Sequence, residues 1–508
     1  MIGPLSGKGP LYRQIYSAIR EAIISGELPS GTLLPATREL VQVLHISRTT
    51  ILNAYAELVA EGYATGRVGS GTYVSGHFPG RMCQGRTLLV GKPSSRFGPE
   101  RNSFRCPSVA AKITPISIAP VNLARKSLFC DFQCGHLSHE DFPFRVWYRL
   151  IAKYAATDFK QHSAPEGDLS FREAIAAHLV GSRGVTCDAN QIIALNGTQQ
   201  GLDLAARLLL NSNDTVAIEE GHYSGAREVF RAAGARLLPI PLDGEGICVR
   251  NLAECSVRTR IRLVYVTPSH QMPTGAIMSM ERRAQLLEWA TRNDALILED
   301  DYDSEYRYDG LPLQSLQGMS HGQRVIYVGS FSRSISPAIR MGYLVAPSLL
   351  AEKFRKAKWL TDRHSPLLIQ QALAEFIGEG HFERYLRRAR GRNCRRRAAL
   401  LDAFTKYFGD SVEILGSDAG VHVLVRFRDA ASIDIPLLIS RVAEVGIGVY
   451  PVTSYFIGPT QRCELLLGYG ALGEELIREG IRLLHAAFLD LTVRTPISRS
   501  SRRMRAGA

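Results

Sequence analysis

The chain has 508 residues, 45% of them hydrophobic, nine cysteines and a formal net charge of +13. That length exceeds what one hydrophobic core serves and implies two or more domains. The sequence has no apolar run of eighteen residues and no basic leader with an apolar segment behind it, so the expectation is a cytoplasmic protein without a membrane span.

In LYRQIYSAIREAII the residues Leu11, Ile15, Ile19 and Ile23 recur every four positions, the stripe of an amphipathic helix that Gly26 should end. A second short helix is predicted from about Thr37, read as its N-cap after Pro35. A third is predicted after Ser47, with Ile51, Tyr55 and Leu58 inward and Arg48, Thr49, Thr50 and Asn53 on its exposed first turns. Paired helices of this kind present the N-terminus of the second to the major groove, where Arg and Thr reach base edges and phosphates. YATGRVGSGTYV reads as a hairpin whose tip, Val68 to Gly71, lets backbone approach DNA. PSGTLLPATREL, SRTTILNAYAELVAEGY and GSGTYVSG closely resemble the winged helix of GntR-type bacterial regulators. The resemblance implies that Arg38, Arg48, Thr49, Thr50 and Gly69 contact a double-stranded DNA operator.

The positive charge is unevenly spread. Residues 1–77 hold six Lys/Arg against five acids, residues 78–127 nine against one, and residues 491–508 five arginines and no acid. The expected organisation is a winged helix-turn-helix over 1–77, a basic flexible linker over 78–127, a large domain over 128–490 and a disordered basic tail. The linker reads either as a tether that lies along phosphates or as a solvated spacer with incidental charge.

Beyond residue 130, strand-like runs alternate with helical segments: QIIALNG, TVAIEE, RLLPIPLD, IRLVYVTP, ALILEDDY, RVIYVGSFS and MGYLVAP. Such alternation predicts an α/β fold with a mostly parallel sheet covered on both faces, and ligands bind beyond the carboxyl ends of its strands. NGTQQ opens a helix whose N–H groups can receive phosphate. EDDYDSEY sets Asp300 and Tyr302 at a strand end, where a carboxylate can keep a pyridine nitrogen protonated, and Arg340 stands near the loop of Ser330 and Ser332. The odd cysteine count without a C-x-x-C pair argues against disulfides and zinc; no metal is expected, and Cys130 and Cys134 read as reduced thiols.

LNGTQQ, TPSHQMPTG, EDDYDSEY and GSFSRSISPAIRMGYLV occur in the order seen in MocR regulators, and the chain resembles that family. The resemblance implies a fold-type I, aminotransferase-like domain that binds pyridoxal phosphate, with a smaller C-terminal α+β subdomain. It also implies a homodimer and a small-molecule effector. By it, Asp300 meets the pyridine nitrogen, Tyr302 the ring hydroxyl, Tyr223 the ring face, and Gly197, Thr198, Gln199, Ser330 and Arg340 the phosphate.

Three departures limit what this site can do. Arg333 stands where the family has its Schiff-base lysine, and a guanidinium stays protonated and forms no imine. His162 replaces an expected Tyr, and Leu466 stands where many relatives carry a carboxylate-binding Arg. The expectation is therefore a regulator with no catalytic residue, whose pocket holds a phosphorylated ring without covalent capture. A binding-free scaffold in which Arg333 pairs with Asp300 is the other possibility for this pocket, and the rival for the whole chain is an active aminotransferase fused to a DNA-binding domain. The run HFERYLRRARGRNCRRR is expected to spend its arginines on internal salt bridges rather than on a second DNA surface.

Overall fold

The computed structural model describes residues 10–67, 70–75, 128–138, 140, 142–156, 163–308, 313–428, 433–458 and 462–494. The chain divides near residue 104 into two units, each with its own core.

In the first unit, helix α1 (Leu11–Ile24) buries Ile15, Ile19 and Ile23 as its stripe requires, while Leu11 at its start stays exposed. Gly26 ends it with a φ of +85°, a left-handed turn that glycine adopts without a steric penalty. Helix α3 (Arg48–Ala60) packs Ile51, Ala54, Tyr55 and Leu58 into the same core. Ser47 caps α3, its Oγ accepting the N–H of Thr50 at 3.3 Å. Helix α2 (Thr37–Leu44) corrects one expectation: Ala36, not Thr37, holds the N-cap position, and the Glu39 carboxylate accepts the Ala36 N–H at 3.2 Å. The glutamate takes the N–H of Ala36 itself, and the Glu39 N–H that a cap side chain would accept goes to the Ala36 carbonyl at 2.9 Å. The wing strands β1 (Ala64–Arg67) and β2 (Gly71–Val74) pair antiparallel, Ala64 opposite Val74.

The second unit carries all seven predicted strands in one sheet. Their order is Ile192–Leu195, Gly342–Val345, Val325–Ser330, Leu296–Asp301, Ile261–Val266, Thr215–Glu219, Arg236–Ile240. Every pairing is parallel except the two made by Gly342–Val345. Helices cover both faces. Leu263 and Tyr265 pack with the helices Thr198–Leu209 and Ser224–Ala232, while their neighbours Val264 and Val266 pack against the helix Met280–Arg292 on the opposite side. Two buried faces on every strand but the edge strand Arg236–Ile240 explain why these runs read as continuously hydrophobic.

A smaller antiparallel sheet, ordered Val412–Leu415, His422–Phe427, Glu464–Gly468, Tyr450–Pro451, packs on the helices His381–Tyr407 and Glu474–Arg494. Cys130–Asp131 pairs with Ile447–Gly448, so the start of this unit is built into its C-terminal part. Cys130 and Cys134 are free thiols. No helix among the described residues is long and apolar enough to cross a membrane.

The arginine-rich run lies on the helix His381–Tyr407, and much of its charge is used internally. Arg396 donates to the carbonyl of Gly470 at 2.7 Å, Arg390 to that of Glu305 at 2.6 Å, and Arg395 pairs with Glu474 at 3.1 Å. Arg387 and Arg388 remain exposed.

Candidate functional site

The pocket is assembled where strands of the large sheet end. Gly197, with a φ of +94°, follows Ile192–Leu195 and caps the helix Thr198–Leu209. The first N–H groups of a helix have no intrahelical acceptor, so Thr198 and Gln199 begin an anion site aligned with the helix dipole. Arg340 reaches over this point and donates from Nη2 to the carbonyl of Asn196 at 2.8 Å. A Cβ on Gly197 would stand 3.5 Å from the Arg340 Cζ. Arg340 itself has a φ of +53°, a left-handed conformation costing a non-glycine residue about 1 kcal/mol or more, so its neighbours hold it there. Ser330 ends its strand opposite Gly342, and its hydroxyl accepts the Ser332 N–H at 3.0 Å. Tyr223 precedes the helix Ser224–Ala232 and is 38% exposed.

All eight residues expected around the ring and phosphate line one cavity of about 170 Å³, and Met272, Ser332 and Arg333 complete its wall. A larger cavity of about 780 Å³, walled by Arg183, Glu305 and Arg307 among others, shares no residue with it.

Asp300 is 3% exposed at the end of Leu296–Asp301. Its Oδ2 accepts the Tyr265 hydroxyl at 2.7 Å, and its Oδ1 has no hydrogen-bond partner. Burial pushes the carboxyl up to about 7, against the lowering effect of the Tyr265 hydrogen bond. The vacant Oδ1 suits a pyridinium N–H, which would return the group to its anionic form. Tyr302, close by in the chain, stands 3.4 Å from His270 Nδ1 through its hydroxyl.

Arg333 does not pair with Asp300. Its Cζ lies 5.9 Å from the centre of the Tyr302 ring, its Nη2 faces Cys134 Sγ at 4.0 Å, and Nη1 lies against Gly135 without a hydrogen-bond acceptor. Tyr265 already occupies one oxygen of Asp300, and Tyr302 and Cys134 draw the guanidinium aside. Leu466 is buried in an apolar cluster with Met272, Val452 and Phe456, so no charge takes the place of the arginine absent there. His162 lies outside the described residues.

Beside the pocket is a cluster that the sequence reading missed. His270 Nδ1 lies 2.9 Å from Asp303 Oδ2 and its Nε2 3.2 Å from the Gly416 carbonyl, so both ring nitrogens face acceptors. Burial works against a charge on His270, but Asp303 and Gly416 outweigh it and raise the group above its ordinary range. His422 lies against it with centroids 4.4 Å apart and rings tilted by 46°, and is held well below the ordinary range by burial, then by His270 and Arg333. Ligand atoms of His270, Asp303 and His422 lie within 4.8 Å of one another, but a metal could use His270 only by displacing one of its two hydrogen bonds. The motifs SHQ and DDYD held the first two residues; the third lies on a strand over a hundred positions later, with no local signal to join it to them.

In the first unit, Arg38, Arg48 and Thr49 are exposed on α2 and at the start of α3. The Thr50 hydroxyl instead lies 2.8 Å from that of Ser47, inside the cap of α3. Gly69 and Val68 lie outside the described residues.

Comparison with known proteins matches residues 11–74 to the gntR family of bacterial regulatory proteins and residues 130–458 to aminotransferase class I and II. The chain is 36% identical over 486 residues to the "Probable rhizopine catabolism regulatory protein MocR" of Rhizobium meliloti, covering 95% of this chain and 94% of that one. It is 28% identical to the "HTH-type pyridoxine biosynthesis transcriptional regulator PdxR" of Corynebacterium glutamicum, covering 92% and 93%. Among solved structures, the α-aminoadipate aminotransferase LysN of Thermus thermophilus, complexed with N-(5'-phosphopyridoxyl)-L-leucine, is 27% identical with a TM-score of 0.69, over 77% of this chain and 98% of that one.

Proposed function

The chain belongs to the gntR family of bacterial regulatory proteins, in the MocR-type form fused to an aminotransferase-like domain, and from that premise we propose how its two units divide the work. It is a DNA-binding transcriptional regulator. Its winged helix reads an operator in the bacterial cytoplasm through Arg38, Arg48 and Thr49, with Thr50 ordering the helix start and Gly69 in the wing. Two copies of the chain join through the large unit, so that two half-sites are read together. The basic stretch 78–127 tethers the winged helix.

The large unit holds a small-molecule effector related to pyridoxal phosphate, without a covalent bond and without a metal. Gly197, Thr198, Gln199, Ser330 and Arg340 take the phosphate; Asp300 takes the ring nitrogen; Tyr302 takes the ring hydroxyl, and Tyr223 covers the ring. Pyridoxal phosphate supplies an electron-withdrawing ring to aminotransferases, but that chemistry needs an amine to hold the group and move a proton. Arg333 offers neither, and the domain is not an enzyme.

One observation carries the reading: the unpartnered Oδ1 of Asp300, buried in the cavity wall while every cationic side chain nearby is turned elsewhere. A buried carboxylate left this way costs stability unless a ligand meets it. To test this, the purified chain is saturated with pyridoxal phosphate, treated with borohydride and weighed by mass spectrometry. Binding in solution with no mass gain at the pocket is expected; an adduct on any lysine in the large unit contradicts the reading.

A further inference from the structure

Three buried arginines of the large unit face carboxylates. Arg183 meets Asp301 at 2.8 Å, Arg283 meets Glu299 at 3.7 Å, and Arg172 meets Glu166 at 4.0 Å. Arg333 meets none within that distance among the described residues. Its neighbours are the face of Tyr302, the sulfur of Cys134 and the backbone of Gly135. Burial pushes the Cys134 thiol up despite Arg333 beside it, so the sulfur is not a counterion. Asp303 acts on the guanidinium only from a distance, and one of its oxygens is already used by His270.

A guanidinium cannot shed its proton, and although Arg333 is only half-buried its Nη1 is shut off from solvent without an acceptor, a place an anion can take. The ligand must bring that anion. Of the cavity wall's described side chains, only Arg333 and Arg340 are cationic. Arg340 stands with Gly197 at the helix N-terminus, the end suited to phosphate. Arg333 occupies the chain position at which the family's lysine reacts with the substituent at ring carbon 4. Leu466, at the position where many relatives bind a carboxylate, is closed in apolar packing.

We propose that Arg333 is a carboxylate-binding residue, and that the ligand of this pocket is a phosphorylated pyridine whose 4-substituent ends in a carboxylate. This rests on the reading of the pocket given above. Two sources supply that chemistry: a carboxylate on the ring carbon itself, or the carboxylate of an amino acid linked through a stable amine. Either gives the guanidinium a bidentate partner, which a neutral aldehyde does not and an ammonium substituent repels.

The test titrates the full chain calorimetrically with four probes. They are pyridoxamine 5'-phosphate, 4-pyridoxic acid 5'-phosphate, N-(5'-phosphopyridoxyl)-L-alanine and the methyl ester of the last. At least one acid should bind roughly tenfold or more tightly than pyridoxamine phosphate, as a charge-assisted hydrogen bond implies, and the tighter acid identifies the source. The ester should lose the alanine compound's advantage in the wild-type chain, a comparison that needs no variant to fold. Arg333→Gln should remove the preference for acids while still binding pyridoxamine phosphate. Equal affinities for acids and amine, or a preference that survives Arg333→Gln, overturn the proposal and leave the pocket reading intact. If none of the four binds, the pocket reading falls with it.

Discussion

On the proposed reading Arg333 and Asp300 set whether this domain acts as an enzyme or a receptor, and each can be changed alone. Arg333→Lys places an amine beside a pocket whose wall holds the residues proposed to meet the ring and phosphate. That variant should yield a borohydride-trappable pyridoxyl-lysine at position 333 and a new visible absorption band with pyridoxal phosphate, where the wild type shows neither. Full transamination is not expected with Leu466 in place. Asp300 makes a prediction of opposite sign for stability and binding. Its carboxyl is raised from the ordinary 3.8 to about 7, so its burial costs nothing in acid, and the cost grows as pH rises across that interval. Asp300→Asn keeps an acceptor for Tyr265 and removes the charge. Without ligand, the variant should be more stable than wild type above pH 7 by up to about 4 kcal/mol, with the gap closing toward pH 4, while its affinity for pyridoxal phosphate falls. Denaturant melts across pH with parallel ligand titrations check both halves. The sequence made their place at one pocket legible because each sits in a strand-end motif. It did not reveal the orientation of Arg333, because the Cys134 that faces it lies 199 positions away.

Elements were readable where local physics decides them. Six of the seven strands of the large sheet were visible because they are buried on both faces, leaving apolar runs closed by polar loops, while the edge strand Arg236–Ile240 is partly exposed. The stripe of α1 and the cap of α3 were visible for the same reason: a period or a single side chain sets them. The start of α2 was misread because its cap depends on Glu39, three residues on, rather than on the threonine that looks like a cap. The cluster of His270, Asp303 and His422 was not readable at all, since it joins the large sheet to the smaller one. For the winged helix, two changes at adjacent positions separate folding from recognition. Ser47→Ala should cost about 1 kcal/mol of that unit's stability through the lost cap. Arg48→Ala should leave stability unchanged within about 0.5 kcal/mol, as exposed substitutions do. It should instead weaken operator binding by about 1 to 3 kcal/mol. Thermal melts and footprinting on the same preparations distinguish the two; intact footprinting by Arg48→Ala removes Arg48 from the interface.

At the scale of the whole molecule, the winged helix holds six basic and five acidic residues within 1–77, too little net charge for one copy to bind DNA tightly by itself. The proposed pairing of two chains would supply the second contact, and sedimentation should then find a dimer at micromolar concentration that protects two half-sites. A monomer with one protected half-site contradicts this. We propose that a ligand held without a covalent bond in the large unit governs what the first unit does on DNA. The measurement that tests it most directly is fluorescence anisotropy of a labelled duplex, selected by the protein from a random pool, titrated with the chain at fixed salt before ligand, at saturating pyridoxal phosphate, and after dialysis. The expected result is a shift in DNA affinity with ligand that dialysis fully reverses. An affinity indifferent to saturating ligand, or a shift that survives dialysis, contradicts it.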